Sequence, residues 1–304
     1  MDDDGATAEV YDPGGDVFTP VERMTTERVG HTATLLPTGQ VLLAGGFDRH
    51  GVLATAELYD PESGVFSPAG RMGTKRGGFT ATPLRSGEVI LAGGFDGQQQ
   101  LASAELYNPA TRTFTPTGAM RSLRGGHAAA ALPDGRILIT GGSDGEHVLA
   151  TTEIYDPVVG TFSPGPEMTL VRHKHAAMTL RDGTVLIVGG SDARDGYGRY
   201  ASTEIYDPAD RAFRAGPSMA APRYKLPDAV TLLPTGHVLV GGGAERVEVY
   251  VPGAGVFGTA AGTIGAPLAF TTATLLRNGR VVIVGGYDEQ INPTAQTWVY
   301  HPGG

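Results

Sequence analysis

The chain contains no cysteine. That excludes a disulfide framework, a thiol nucleophile and cysteine-ligated zinc, and it leaves the redox compartment unreadable. No apolar run approaches the ~18 residues of a membrane-spanning helix. The first ten residues, MDDDGATAEV, are acidic and lack the apolar stretch of a signal peptide. No Asn-x-Ser/Thr site occurs. The expectation is a chain without membrane insertion, cytoplasmic by default or a secreted domain lacking its leader. Charged residues are scarce at 18%, and the formal net charge of −9 argues against nucleic acid, whose phosphates demand a basic surface. There is no Gly-x-Ser-x-Gly elbow, His-Glu-x-x-His or P-loop. The three glycines of GGGAER at 241–246 include a diglycine that recurs along the chain.

Glycine and proline are abundant instead, 46 and 21 residues, spread between short apolar runs as punctuation between strands. Diglycines close an apolar run at 45–46, 93–94, 141–142, 189–190, 242–243 and 285–286, in steps of 48, 48, 48, 53 and 43 residues. Each is followed by a Tyr-x-Pro, at Tyr59, Tyr107, Tyr155, Tyr206, Tyr250 and Tyr300, and another at Tyr11 precedes them all. Each unit reads as four strands: an alternating HTATLL, a buried QVLLAGG, an alternating TAELYDP and a short GVFSP. The turns PTG, RSG, PDG, RDG, PTG and RNG have hairpin chemistry, with glycine supplying positive φ. Proline after Tyr-Asp ends the third strand because it offers no N–H to the ladder. Asp48, Asp96, Asp144, Asp192 and Asp288, just past the diglycines, are suited to bond forward to backbone N–H groups. No helical periodicity of useful length is present.

Six such units cannot each bury both faces, and radial packing solves this while protecting sheet edges. The diglycines, the Glu-x-Tyr-Asp-Pro segments (Glu57–Pro61, Glu153–Pro157, Glu204–Pro208) and Phe66, Phe114 and Phe162, where tryptophan is usual, resemble the kelch-repeat family. The resemblance covers almost the whole chain. It implies an all-β, six-bladed propeller of four-stranded antiparallel blades, residues 13–304 forming one domain. The sixth unit ends after three strands, so DVFTP near the N-terminus is expected to supply the fourth, closing the ring with strands from both termini. Residues 1–12 would then be loose or a redundant strand.

Departures between units mark candidate function. Aligned on the turn glycine, the units enter their first strand as Arg28-Val-Gly-His31, Arg76-Gly-Gly-Phe79, Arg124-Gly-Gly-His127, Arg172-His-Lys-His175, Lys225-Leu-Pro-Asp228 and Leu268-Ala-Phe-Thr271. In the family resembled, arginines here contact acidic ligands, which implies an arginine-lined mouth of Arg28, Arg76, Arg124 and Arg172, with Lys225 a weaker match. Guanidinium grips carboxylate bidentately. The structural alternative is that each arginine pairs with a carboxylate, such as an Asp past the diglycine. His31, His127 and His175 share a repeat position and read as structural. His173 and His175, two apart on a strand, face one side and with Asp228 are weak metal candidates. The fourth unit departs most, with His173-Lys174 and the long loop SDARDGYGRYAS. Together with PRYKLPD of the fifth it gathers Lys174, Tyr197, Arg199, Tyr200, Arg223, Tyr224 and Lys225 into a cationic, aromatic patch.

The expected function is a binding module, taken as monomeric and without cofactor, for an acidic peptide or a carboxylate-bearing glycan. One alternative is an enzyme on acidic sugars, a uronide lyase or sialic-acid-type isomerase. His173 or Tyr224 would serve as acid or base and Arg172, Arg223 and Lys225 would neutralise carboxylate. The other is a structural segment of a larger protein.

Overall fold

The computed structural model describes residues 5–192 and 198–302. Among these, every regular element is a β-strand. Five four-stranded antiparallel sheets follow the repeat. The first is Thr32–Leu35, Val41–Ala44, Thr55–Asp60 and Val65–Arg71, paired in chain order. The second runs Thr80–Pro83, Val89–Ala92, Ala104–Asn108, Thr113–Pro116, and the third Ala128–Ala131, Ile137–Thr140, Thr152–Asp156, Thr161–Pro164. The fourth runs Ala176–Thr179, Val185–Val188, Thr203–Asp207, Ala212–Ala215, and the fifth Val230–Leu232, Val238–Val240, Glu248–Val251, Val256–Thr259. The last sheet has three strands, Thr272–Leu275, Val281–Val284 and Thr297–Tyr300. The fold is a six-bladed β-propeller.

The second strand of each blade is the apolar run, and Val89–Ala92, Ile137–Thr140 and Val185–Val188 are buried at every position. They are covered on both faces and so need no alternation. Tyr59, Tyr107, Tyr155, Tyr206 and Tyr250 of the Tyr-x-Pro signature each pack on a phenylalanine directly across the next strand, as in Tyr59–Phe66 at 4.9 Å and Tyr206–Phe213 at 5.0 Å. The diglycine is imposed by space as well as φ. A Cβ on Gly45 would lie 2.5 Å from the Arg76 carbonyl oxygen, and one on Gly46 2.6 Å from that of Val29. Asp48, Asp96, Asp144 and Asp288 bond forward to backbone N–H groups as expected.

The N-terminal residues form a hairpin of their own. Val17–Pro20 pairs with Glu9–Asp12, setting Tyr11 against Phe18 at 5.0 Å. Residues 9–12 are therefore a paired strand, not a loose segment. The reason is local: residues 9–20 carry a complete Glu-x-Tyr-Asp-Pro…Val-Phe-x-Pro hairpin, whose short loop closes at low entropic cost.

The chain divides into two compact units: Met1–Gly126 with Ser143–His147 and Tyr155–Ser163, and His127–Gly142 with Val148–Ile154 and Pro164–Gly304. In the first, Leu42, Leu58, Val89, Leu91 and Tyr107 anchor a core between successive sheets. In the second, Leu186, Val188, Leu226, Val238 and Val240 do the same. The residues of interest below concentrate in the second unit.

Candidate functional site

The arginines before each first strand are interior residues. Arg28 is 2% exposed, and Arg76, Arg124, Arg172 and Arg223 are fully buried. Arg28 Nη2 meets Glu57 Oε1 at 2.8 Å, Arg76 Nη2 meets Glu105 Oε1 at 3.0 Å, Arg172 Nε meets Glu204 Oε1 at 3.0 Å, and Arg223 Nη2 meets Glu248 Oε1 at 2.9 Å. Nη1 of each donates to the first diglycine carbonyl, at Gly45, Gly93, Gly189 and Gly242. The other glutamate oxygen takes a backbone N–H from the loop ahead of the arginine, at Thr25, Gly73, Thr169 and Ala220. Burial pushes the Glu57 carboxyl up, but hydrogen bonds from Arg28 and Thr25 outweigh it and hold it below its ordinary value. The arginine-lined mouth is thus corrected. These guanidiniums staple the first strand to the diglycine and the third strand, and their carboxylate is the third-strand glutamate two residues before the signature tyrosine, not the aspartate after the diglycine.

The fifth unit corrects the alignment too. Arg223, not Lys225, makes the contacts that Arg172 makes. Arg223 stands 13 positions before its turn glycine at 236, whereas Arg172 stands 11 before Gly183. The two extra residues displaced the alignment.

With the arginine as anchor, the opening of each blade becomes legible. The residue after it bridges the one following the diglycine: Gly77 with Phe95, Gly125 with Ser143, His173 with Ser191, Ala269 with Tyr287. The next residue is left-handed in all six units, with φ of 61°, 62° and 62° at Gly30, Gly78 and Gly126, then 52° at Lys174, 59° at Lys225 and 55° at Phe270. Glycine adopts this conformation freely, while a side chain there costs roughly 1–2 kcal/mol. Three successive units of one compact body therefore carry Lys, Lys and Phe where the others carry glycine. Lys174 and Lys225 are linked to the next unit through their carbonyls, which accept from Leu226 N at 3.2 Å and Phe270 N at 3.0 Å.

Lys225 sits among three rings. Its Nζ is 5.1 Å from the Tyr224 centroid, 5.0 Å from Tyr287 and 5.7 Å from Phe270, and it donates to the Tyr287 hydroxyl at 3.0 Å. Burial works to lower its pKa, but hydrogen bonding with Tyr287 and Tyr224 outweighs it and raises it, so the ammonium stays charged. Arg199 lies over Tyr224, its Cζ 4.6 Å from the ring, and its Nη1 pairs with Glu289 at 3.2 Å. Tyr200 is half-buried over Arg172, and Tyr224 is 9% exposed. Tyr197 lies outside the described residues. Phe270, Tyr287 and Glu289 went unread in the sequence, although Phe270 occupies the left-handed position and was open to detection by the same comparison.

His173 is buried, paired through its backbone with Ser191. His175 is fully buried, with Nε2 2.8 Å from Thr140 Oγ1, and burial drives its pKa well below the ordinary value. Asp228 lies in the two-residue insertion; it has exposed area yet is enclosed on most sides, which raises its carboxyl pKa. Among the described residues no three His, Asp or Glu side chains converge, so His173, His175 and Asp228 are not brought together as metal ligands. His173, one of the two candidates for acid or base, is also too enclosed to meet a sugar.

The repeat thus has a structural reason for each signature residue: diglycine, buried arginine, paired glutamate, tyrosine on phenylalanine. The Kelch motif matches at residues 28–73, 77–121 and 124–169. Residues 28–169 thus carry kelch repeats. No curated protein matches it. The matched kelch motifs stop at residue 169, and the departures at the left-handed position begin at Lys174.

Proposed function

We propose that this kelch propeller is a binding module for an acidic partner, contacted through Lys174, Lys225 and Phe270 and not through the buried arginines. A kelch propeller is typically a protein-interaction module. The observation that carries the reading is the left-handed backbone at both lysines and at Phe270, a conformation whose cost their side chains must repay elsewhere. Lys225 is held by aromatic faces and tyrosine hydroxyls, which orient its ammonium without neutralising it. A carboxylate meeting an oriented cation loses little further side-chain entropy. Phe270, 41% exposed beside it, offers apolar area to a partner. An acidic peptide segment and a carboxylate-bearing glycan both carry this chemistry.

The test is anisotropy of a labelled oligoglutamate peptide and of a labelled oligogalacturonate, titrated with the chain at low and high salt. One of the two should bind, and its affinity should fall with salt and drop at least tenfold in Lys174→Gly with Lys225→Gly. Binding that survives both substitutions overturns the reading.

A further inference from the structure

The fifth unit is short where its neighbour is long. The glutamate of the third strand lies 11 positions past the second glycine in the first three units (46 to 57, 94 to 105, 142 to 153), 14 in the fourth (190 to 204) and 5 in the fifth (243 to 248). The loop that would cover the fifth unit is missing, and the loops of the fourth and sixth reach over it to meet in the Arg199–Glu289 pair. Here lies a cavity of about 360 Å³, lined by Arg199, by small residues such as Ala221, Pro222 and Ala244, and by Glu245 and Arg246. Glu245 and Arg246 are exposed, and among the described residues neither makes an ion pair. Arg199, by contrast, is fixed by Glu289 and by the Tyr224 ring.

We propose that this cavity binds a small zwitterion, a free α-amino acid with a small apolar side chain. Three features select that class. The volume is at the lower end of small-molecule sites. The alanine, proline and glycine of the lining suit a small apolar side chain such as a methyl or isopropyl group. The rim offers one unpaired guanidinium for a carboxylate and one unpaired carboxylate for an ammonium, and fixed Arg199 adds a second donor surface above. A ligand bearing only one charge would leave the opposite rim charge facing it unmatched. None of Lys174, Lys225 and Phe270 lines the cavity.

Calorimetric titration of the full chain with glycine, L-alanine and L-valine, and with N-acetyl-L-alanine and L-alaninamide as singly charged probes, tests this. At least one free amino acid should bind saturably, both blocked forms should fail, and Arg246→Gln or Glu245→Gln should each weaken binding at least tenfold. Both substitutions are at exposed positions, so the fold is not at stake. Absence of saturable binding by all three amino acids, equal binding of a blocked form, or unchanged affinity in both variants would overturn the proposal.

Discussion

Arg172 Nε lies 3.0 Å from Glu204 Oε1 while its Nη1 donates to the Gly189 carbonyl at 2.6 Å, and both side chains are closed to solvent. One interaction thus joins the entry of a blade, its diglycine corner and its third strand. Removing one partner strands a buried charge. Arg172→Ala or Glu204→Ala should cost about 3–5 kcal/mol. Paired replacement of both by apolar residues of similar volume should cost less than either single change. Urea unfolding of the three variants checks this.

His175 gives the protein an acid-sensitive core. Its pKa is lowered well below 6.5, chiefly by burial and further by Arg172, His127 and His173. Below about pH 6.5 the unfolded chain takes a proton that the folded chain refuses, so unfolding is proton-linked. Stability attributable to this group is intact above pH 6.5 and is lost as pH falls from there towards the folded pKa, at up to about 1.4 kcal/mol per pH unit. Phe79 fills the same repeat position in the second unit. His175→Phe should therefore flatten the pH dependence of Tm between neutral pH and about pH 5. An unchanged slope would assign the acid sensitivity to other groups.

The diglycine should be intolerant in a graded way. Gly46 has φ of 88° and its Cβ would lie 2.6 Å from backbone, whereas Gly39 has φ of 87° and nothing within 4 Å. Gly46→Ala should destabilise by well over 1 kcal/mol and Gly39→Ala by about 1 kcal/mol, the cost of backbone conformation alone. Thermal unfolding of the two variants separates close approach from φ.

The architecture was legible because six units repeat their strands, turns and diglycines, and what is common to all of them is scaffold. The arginine was legible as a position but not in its role. Its partner lies 25 to 32 residues further on, and in a linear comparison nothing tells a buried guanidinium from an open one. Family resemblance pointed to an exposed ligand contact, and burial reversed it. The fifth unit was misread because its two-residue insertion falls between Arg223 and the turn glycine used for alignment. Once the arginine is the anchor, the series Gly, Gly, Gly, Lys, Lys, Phe stands out. His173 fills a backbone-paired slot, and Lys174 occupies a slot built for glycine. The cavity of the fifth unit was the least legible, because it arises from a loop that is short rather than from residues that are present.

The most direct test of the account is Lys174→Gly combined with Lys225→Gly, assayed for both unfolding free energy and acidic-peptide binding. Glycine suits φ near 50–60°, so the account predicts stability equal to or above that of the parent together with loss of binding. A variant that loses stability would show that these side chains serve the fold, and one that keeps binding would show that the acidic partner is held elsewhere.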